Sequence, residues 1–373
     1  MGGNYIMKII AFYLPQFHEI EENNRWWGKG FTEWTNLKKA KPLAKNHYQP
    51  RIPLNENYYD LTDDNVRIWQ EKLAREYGIY GFCYYHYWFK NGKKLLEKPM
   101  EMMLENKNIK LPFCISWANE PWTRSWDGKY GEVLMEQEYG DEPEWIEHFD
   151  YLYKFFRDDR YIKVDGKPLF IIYKSSSIKK CQEMMELWNR MAIDRGLNGI
   201  YFVNTLRSRK IDKRDLPFSA CVEFEPAYST SNLPWYELNI RRVYRYSKKL
   251  FCRITGRETI CNLPMDYDRM TELSLQKRPL KDLKTIPGAF VNWDNTPRKG
   301  IMGTYYKNFS VKKFEDYLTK KIEKGIKEYK SEFLFINAWN EWCEGAYLEP
   351  DGKNGYGYLE AVRNALINNG IRI

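Results

Sequence analysis

The chain has 373 residues, a length that suits a single α/β barrel with insertions. Its 59 Lys and Arg against 50 Asp and Glu leave a net charge of +9 that is mild and scattered, whereas a nucleic-acid-binding protein concentrates its cations in one stripe. The seven Cys include no close CxxC pair, which argues against a disulfide framework. No His or carboxylate cluster has metal-site spacing, which argues against a metal site. We therefore expect no cofactor, no metal and no nucleic acid.

Short apolar runs alternate along the chain with polar loops and with stretches of helical periodicity, which is typical of repeated βα units. The predicted strands are, in chain order, Lys8–Leu14, Gly78–Tyr84, Leu111–Trp117, Leu169–Tyr173, Gly199–Asn204, Ala220–Phe224, Gly288–Trp293 and Glu332–Ala338. The predicted helices are Asp63–Tyr77, Leu95–Glu105, Glu142–Phe156, Lys179–Arg195, Val311–Tyr329 and Tyr358–Asn368. Eight strands that alternate with helices predict an α/β fold, a single (β/α)8 TIM barrel.

Two loops are longer than a plain βα connection: Pro15–Asp60 follows the first strand, and residues 228–287 follow the sixth. Long insertions after barrel strands build the rim of the C-terminal face. We therefore interpret both as lids or subsite walls of one catalytic domain, residues 1–373. The basic cluster 241–249 within the second insertion is interpreted as a solvated helix face; the alternative is contact with an anionic glycan, a nucleotide or a lipid phosphate.

The N-terminal residues lack the basic and then apolar pattern of a signal peptide, and no stretch approaches the ~20 apolar residues of a membrane span. Four cysteines lie in strand-like apolar runs and are expected to be buried thiols: Cys83, Cys114, Cys221 and Cys343. We therefore expect a reduced, cytoplasmic protein with no membrane span, in which residues 1–6 form a disordered leader ahead of Met7.

Polar or aromatic residues follow the apolar part of every predicted strand. In a barrel these positions converge at the C-terminal mouth, where active sites are built. Aromatic rings suit the C–H faces of sugars, and amides and acids suit their hydroxyls, so the pattern predicts a glycan pocket; the alternative is that Asn and Asp here serve turns. The predicted substrate-binding residues are Tyr13, Gln16, Trp34, Tyr85, His86, Trp88, Trp117, Asn119, Glu120, Tyr173, Asn204, Glu223, Asn292, Asp294, Asn340, Trp342 and Glu349.

Glu341 and Glu344 lie three residues apart on the loop that leaves the last strand. A helical turn there would bring both carboxylates to one face, and glycosyl chemistry commonly uses two carboxyl groups, so we predict that these two are catalytic. The alternative is that one of them caps the next helix. Asn119-Glu120-Pro121 offers a competing acid/base, because it resembles the acid/base segment of the large retaining glycosidase clan; Glu341 or Glu223 would then be the nucleophile.

The segment Phe335–Pro350 reads FINAWNEWCEGAYLEP and resembles the catalytic segment of glycoside hydrolase family 99, the endo-α-mannosidases and endo-α-mannanases. The shared features are Asn-Glu-Trp, a second Glu three residues on, a Gly and a later Glu-Pro. The whole chain resembles the WbsX-like, family-99-like proteins more closely. The segments that carry this second resemblance are 13–17, 26–34, 81–89, 117–122 and 288–296.

The resemblance implies a (β/α)8 barrel and retaining chemistry on an α-linked, mannose-like glycan. It implies that Glu341 acts as a base on the sugar 2-hydroxyl, which attacks the anomeric carbon to give an anhydro-sugar. Glu344 would protonate the leaving oxygen and then act as a base toward water. Cys343 departs from the family, because family 99 typically has His between the two acids, and this leaves the substrate contacts and the specificity open.

The first functional hypothesis is therefore a glycoside hydrolase or transglycosylase of an oligosaccharide or polysaccharide. WbsX-like proteins are also described as glycosyltransferases of surface-polysaccharide clusters, so the second is a glycosyltransferase of O-antigen, capsule or lipopolysaccharide biosynthesis. No recognisable nucleotide-binding region supports that alternative. The third is a non-catalytic glycan-binding protein. The sugar, the linkage, endo or exo action and the oligomeric state stay open.

Overall fold

Nine parallel strands form the wall of a barrel in the computed structural model, which describes residues 7–124, 132–208, 212, 214 and 216–373. They are β1 Lys8–Tyr13, β2 Ile79–Trp88, β3 Phe113–Trp117, β4 Lys167–Ile172, β5 Tyr201–Leu206, β6 Ala220–Glu223, β7 Lys284–Ile286, β8 Gly288–Phe290 and β9 Phe333–Asn337. From β1 to β7 each strand pairs in parallel with the next, and β9 pairs with both β8 and β1. The predicted leader, residues 1–6, lies outside the described residues.

The seventh position in the wall is shared by β7 and β8, which are separated only by Pro287. β7 pairs with β6 and β8 pairs with β9, so the two ends of the sheet meet at this proline. Proline has no N–H to donate to the ladder, which explains the break; its carbonyl still accepts a hydrogen bond of 3.1 Å from Phe335 N. The eight predicted strand positions and the predicted (β/α)8 TIM barrel are confirmed.

The helices are α1 Glu21–Trp27, α2 Glu33–Lys39, α3 Asp64–Glu76, α4 Lys98–Glu105, α5 Glu142–Phe156, α6 Cys181–Asp194, α7 Ala227–Thr230, α8 Trp235–Thr255, α9 Tyr267–Leu275, α10 Thr296–Lys299, α11 Val311–Lys327 and α12 Gly357–Asn368. Six of them were predicted from periodicity: α3, α4, α5, α6, α11 and α12. α3 starts after the expected cap, because the Asp63 side chain accepts a hydrogen bond from Asn65 N. Within the described ranges, no helix is both long enough and apolar enough to cross a bilayer.

The two long insertions fold as helices and turns beside the mouth of the barrel. α1 and α2 follow β1, and α7, α8 and α9 follow β6. α2 begins at a capping box formed by Thr32 and Thr35 and buries Glu33, so the first insertion delivers a buried acid to the mouth. Short strands outside the wall pair as Lys94–Leu95 with β2, Trp122–Thr123 with Val133–Met135, Lys163–Val164 with β4, Met265–Asp266 with Tyr306–Lys307, and Asn340–Glu341 with Ala346–Tyr347.

Side-chain alternation along β1 decides which of its residues enter the barrel. Phe12 lies inside, with its ring centroid 5.6 Å from Tyr85, 5.2 Å from Phe224 and 5.4 Å from Phe335. Tyr13, the next residue, points outward, and its hydroxyl donates a hydrogen bond of 2.7 Å to Gln70 of α3. A strand-end residue therefore reaches the mouth only if the register of its strand turns it inward.

Gly288 is the tightest point of the wall, because a Cβ added there would lie 1.8 Å from the carbonyl oxygen of Glu223 in β6. Backbone atoms of the barrel cannot move aside as a flexible side chain can. We expect Gly288→Ala to lower the free energy of unfolding by more than about 2 kcal/mol. The measurement is urea denaturation. Gly352→Ala is the matched control, since its Cβ would lie 3.5 Å from the nearest atom, and equal stability of the two variants would contradict the prediction.

Candidate active site

A cavity of about 440 Å³ opens at the mouth of the barrel, between the loops that leave the strands. Aromatic and charged side chains alternate around it, as in sites that bind flat ligand faces and orient them with a few polar groups. Its lining residues are Leu14, Gln16, Trp27, Tyr85, Tyr87, Ala118, Glu120, Pro121, Trp122, Thr123, Leu134, Tyr173, Arg207, Phe224, Ala227, Trp293, Arg298, Glu341 and Glu344. Both predicted catalytic glutamates are among them.

Arg298, on the short helix α10 after β8, binds three carboxylates at one side of the cavity. Its Nη2 lies 2.9 Å from Glu341 Oε2 and 3.0 Å from Glu33 Oε1. Its Nη1 lies 2.8 Å from Glu344 Oε1, and its Nε donates to Glu33 Oε2 at 3.3 Å. The guanidinium thus holds Glu33 in a two-point contact and fixes Glu341 and Glu344 with one nitrogen each.

The backbone turn Trp342–Glu344 explains why two acids three residues apart face the same way. It is a 3₁₀ turn that Glu341 precedes, and three residues per turn align positions i and i+3. The side chains between them point elsewhere: the Trp342 indole N–H donates to Glu349 at 2.7 Å, and the Cys343 thiol donates to the Glu33 carbonyl at 3.2 Å. The predicted common face of the two acids is therefore present.

Gly345 ends this turn in the left-handed region, with φ of 62°. A Cβ at this position would also lie 2.9 Å from Cβ of Asp294. Asp294 N in turn donates a hydrogen bond of 2.6 Å to the Glu344 carbonyl. A residue without a side chain therefore lets the loop after β8 pack against the turn that carries both acids.

Charge is out of balance in this cluster, because one guanidinium faces three carboxylates. Burial raises the pKa of Glu341 to about 8; Arg298 opposes that rise, and repulsion from Glu344 and Glu33 adds to it. Although burial acts in the opposite direction, the three glutamates raise the pKa of Arg298 well above its ordinary value. At neutral pH the arginine is charged, and the raised pKa makes Glu341 a stronger base than an exposed glutamate.

A further carboxylate, apart from the Arg298 cluster, lies on the cavity wall. Glu120 binds Lys174 Nζ at 2.9 Å and Arg207 Nη1 at 3.1 Å. Burial alone would raise the pKa of Glu120, but Arg207 and Lys174 hold it below its usual value. An ionised, doubly paired carboxylate suits hydrogen bonding to hydroxyls better than proton donation. Arg207 also lies over the ring of Tyr173, 4.1 Å from its centroid.

Of the predicted site residues, six line the cavity: Gln16, Tyr85, Glu120, Tyr173, Glu341 and Glu344. Gln16 Nε2 is buried there with no hydrogen-bond partner among the described residues. Burial, and after it the charge of Glu341, raises the pKa of the Tyr85 hydroxyl well above its ordinary value. These side chains stay candidates for substrate contact.

Glu349 is the centre of a buried network that holds the loop after β9. It accepts hydrogen bonds from Tyr59 at 2.8 Å, from Gln70 at 2.7 Å and from Trp342 at 2.7 Å. Burial raises its pKa to about 7, against these three donors. The network binds Trp342 and, through Gln70, Tyr13, so these predicted site residues support the Glu341 turn without reaching the cavity.

Asp294 has a similar supporting position after β8. It accepts hydrogen bonds from His47 at 2.9 Å, Gln49 at 2.8 Å and the Thr296 hydroxyl at 2.6 Å. Although burial opposes it, His47 and Arg51 hold the pKa of Asp294 below its usual value. This carboxylate therefore fixes the start of α10, which carries Arg298, and its oxygens are already occupied.

His86 lies behind the cavity wall, where its Nε2 is 2.9 Å from Nε2 of His148 on α5. Burial, followed by Lys94, lowers its pKa to about 3, so it stays neutral. Glu223 faces outward to α11, with Lys321 Nζ at 2.8 Å and the Tyr329 hydroxyl at 2.7 Å. The polar atoms of both side chains therefore bind other residues of the protein, and neither side chain lines the cavity.

The remaining predicted site residues join loops to one another. The Asn119 carboxamide bonds to Lys174 N and O at 2.8 and 2.9 Å, and the Asn340 carboxamide bonds to Leu14 N and O at the same two distances. The others are buried and do not line the cavity: Trp34, Trp88, Trp117, Asn204 and Asn292. Two of them link strand ends to neighbouring segments: the Trp117 indole N–H donates to the Trp88 carbonyl at 3.2 Å, and the Asn204 carboxamide accepts from the Ser175 hydroxyl at 3.1 Å.

Sequence reasoning missed several residues that line the cavity: Trp27, Tyr87, Trp122, Arg207, Trp293 and Arg298. The two aromatic clusters that contain Trp27 and Trp122 were visible in the sequence. No motif marked Arg298, because its three partners come from other parts of the chain. Among the described residues, no group of three or more His, Cys, Asp or Glu is placed to hold a metal ion.

The sequence model of the family described as Glycosyltransferase WbsX matches residues 9–362, nearly the whole chain. The chain is also 37% identical over 366 residues to the protein WxcX of Xanthomonas campestris pv. campestris (strain B100). That match covers 96% of this chain and 49% of WxcX, so the chain spans about half the length of the curated relatives it matches.

Solved structures with a similar fold include the GH99 endo-alpha-mannosidase from Bacteroides thetaiotaomicron in complex with bis-tris-propane. It has a TM-score of 0.55 and 13% identity over 98% of each chain. A glycoside hydrolase-like protein has a TM-score of 0.56 and 13% identity, over 97% of this chain and 94% of that one. At this identity the likeness concerns the barrel fold alone.

Removal of the arginine charge should destabilise the protein, because three carboxylates would lose their shared cation. We expect Arg298→Met to lower the free energy of unfolding at pH 8 by about 3–5 kcal/mol, with a smaller loss at pH 5, where the carboxylates can protonate. Urea denaturation at the two pH values measures this. Arg278→Met is the control, since Arg278 pairs with Glu328 at an exposed site. An equal loss in both variants would contradict the prediction.

Glu341 should make the stability of the protein depend on pH. Its folded-state pKa of about 8 lies above the value of 4.5 expected in the unfolded chain. The folded protein therefore binds a proton at Glu341 more tightly than the unfolded chain does, and this contribution to the free energy of unfolding is full below about pH 4.5 and is lost as the pH rises to about 8. We expect Glu341→Gln to flatten the fall in stability over this window. Urea midpoints of the wild type, Glu341→Gln and the surface control Glu332→Gln measure it; an unchanged slope in Glu341→Gln would refute the assignment.

Proposed function

The chain belongs to the WbsX family, and we propose that it is a retaining glycoside hydrolase or transglycosylase that acts on an α-linked, mannose-like glycan. The observation that carries this proposal is the pair Glu341 and Glu344, fixed by one guanidinium beside an aromatic cavity at the barrel mouth. The likeness in fold to a protein named as an endo-alpha-mannosidase supports the choice of sugar and linkage.

The proposed reaction begins from the form in which Glu341 is ionised and Glu344 is protonated, and Glu341 takes the proton of the sugar 2-hydroxyl as that oxygen attacks the anomeric carbon. The glycosidic bond breaks, and Glu344 gives its proton to the leaving oxygen. The 1,2-anhydro-sugar is then opened at the anomeric carbon by water or by an acceptor hydroxyl, which loses its proton to Glu344, while Glu341 returns its proton to the 2-oxygen. Two inversions give net retention, and both glutamates end as they began.

The environment of Glu341 supports its role as the base. A carboxylate whose conjugate acid has a pKa of about 8 is a stronger base than an exposed glutamate, which suits the removal of a proton from a hydroxyl. Glu344 is the more exposed of the two acids, with 21% of its side-chain surface accessible, as a donor to a leaving group must be. Arg298 touches both, so it orients the pair.

Binding of the sugar is proposed for the rest of the cavity wall. Trp27, Trp122 and Trp293 offer apolar faces for stacking. The Gln16 amide N–H is free of partners among the described residues and can bind a hydroxyl, as can the ionised Glu120. This arrangement allows a chain of sugar units to lie across the mouth.

A glycosyltransferase is the second candidate, and the description of the family favours it. Arg207 lines the cavity and Lys174 pairs with Glu120 on its wall, and both cations could turn from Glu120 toward a phosphate of an activated donor. The two candidates differ in what they bind. A thermal-shift panel with nucleotide sugars and α-linked manno-oligosaccharides separates them, because stabilisation by the nucleotide sugars alone would favour the transferase.

Loss of either acid should stop turnover without unfolding the protein. On a panel of α-linked manno-oligosaccharides and mannans we expect Glu341→Gln and Glu344→Gln to lower kcat by at least ~100-fold, the usual contribution of general acid–base catalysis. Oligosaccharide binding, measured by calorimetry, should persist. NMR of the first product should show the α anomer.

Glu332→Gln is the control for this experiment, since Glu332 pairs with Lys8 at the opposite end of the barrel. It should retain wild-type kcat. Wild-type activity in Glu341→Gln or Glu344→Gln would rule out the assignment of that residue. Bound oligosaccharide recovered uncleaved from the wild type would instead identify a glycan-binding protein without catalysis.

A further inference from the structure

The long helix α8 is amphipathic, but it packs on the protein with its polar side. The residues that face the body are half-buried and recur at helical spacing: Glu237, Arg241, Tyr244, Lys248 and Cys252. Arg241 donates a hydrogen bond of 2.6 Å to the Leu263 carbonyl, and Glu237 pairs with Arg269 at 3.3 Å. No residue of α8 is buried, so the helix adds nothing to the apolar core.

The apolar stripe of α8 therefore faces outward. Its exposed fractions are 75% at Trp235, 68% at Val243, 69% at Tyr246 and 73% at Ile254. Other exposed members of the stripe are Tyr236, Ile240, Leu250 and Phe251. A surface helix normally turns its apolar side to the core, and a contiguous exposed apolar patch of this kind marks a binding surface.

A row of cations borders the stripe along one side. Arg242, Arg245, Lys249 and Arg253 follow one another at three- and four-residue steps and are exposed. None of the four has an ion-pair partner within the described part of the chain. The helix has one acid, Glu237, and it points inward to Arg269. The outer side of α8 is thus apolar and positive, with no negative charge.

We propose that α8 is an interfacial anchor that binds the surface of an anionic lipid bilayer. The apolar side chains would enter the boundary between headgroups and acyl chains, and the flanking cations would lie at the level of the lipid phosphates. Trp and Tyr are the aromatic residues that favour this depth. The helix lies in the surface and does not span the bilayer, in keeping with the absence of a spanning helix among the described residues.

The charge of α8 favours a membrane over a second copy of the chain. Another α8 would bring four more cations and no outward-facing acid to pair with them.

The position of α8 relative to the barrel places a bound membrane near the cavity. Because α8 follows β6 on the mouth side of the barrel, as does Ala227 of the cavity lining, a bound membrane would lie beside the cavity. This inference does not depend on the proposed reaction.

Vesicle flotation of the full chain tests the anchor, with phosphatidylcholine vesicles that contain or lack phosphatidylglycerol. We expect flotation with the anionic vesicles only, and its loss at high salt. The charge variant Arg242→Gln/Arg245→Gln/Lys249→Gln/Arg253→Gln and the apolar variant Val243→Gln/Leu250→Gln/Ile254→Gln should each bind at least ~10-fold more weakly. Glutamine keeps helix propensity, and the altered residues are exposed, so both variants should fold.

The matched control is Lys312→Gln/Lys320→Gln/Lys327→Gln/Lys330→Gln, which removes the same number of exposed cations from α11 and the loop after it. It should float like the wild type. Absence of wild-type flotation, or equal weakening by the control, would overturn the proposal. So would a vesicle-free dimer, seen by light scattering, that the apolar variant dissociates. If the apolar variant has a lowered Tm, the test is whether the charge variant binds the anionic vesicles more weakly than the control does; equal binding of these two variants would overturn the proposal.

Discussion

One guanidinium against three carboxylates, two of them buried and one partly exposed, is the constraint on which the mouth of this barrel depends. Arg298 cannot neutralise Glu33, Glu341 and Glu344 together, and burial makes the remaining charge costly. Burial and the unmatched negative charge raise the pKa of Glu341 to about 8, so this carboxylate takes up a proton more readily than an exposed glutamate does. A base on a sugar hydroxyl requires this property, so the charge imbalance and the proposed reaction have one origin.

The surrounding structure keeps the arginine and the glutamates in contact. Asp294 fixes the start of α10, which carries Arg298, while Glu349 fixes the loop that carries Glu341. Gly345 lets these two loops approach closely enough for the Asp294 N–H to bind the Glu344 carbonyl. Several predicted site residues that do not reach the cavity, among them Trp342, Glu349 and Asp294, are buried groups that support the turn which carries Glu341 and Glu344. Such support holds side chains in a fixed geometry.

The two insertions extend in different directions from the mouth of the barrel, one toward the cavity and one toward the outside. The first brings Glu33 under Arg298, where burial of the carboxylate is matched by a two-point contact. The second extends outward as α8, whose apolar side has no partner in the fold. A helix that turns its polar side inward gives up core burial, and this is reasonable only if the apolar side is used elsewhere. The cavity and the proposed lipid-binding helix therefore lie on the same face of the barrel.

The sequence by itself determined the barrel, because apolar strands and helical periodicity are local patterns, and the eight strand positions follow from them. It also determined that the Glu341 and Glu344 side chains lie on one face, since residues three apart on a helical turn point the same way whatever the rest of the chain does. Only the tertiary structure decided which strand-end residues face the cavity: Tyr13 and Glu223 point outward because side chains alternate, and a shift of one residue reverses the face. It alone also paired Arg298 with Glu33, 265 residues away, and turned the apolar side of α8 to the outside. Contacts between distant segments depend on the register and packing of the whole barrel, which no local pattern specifies.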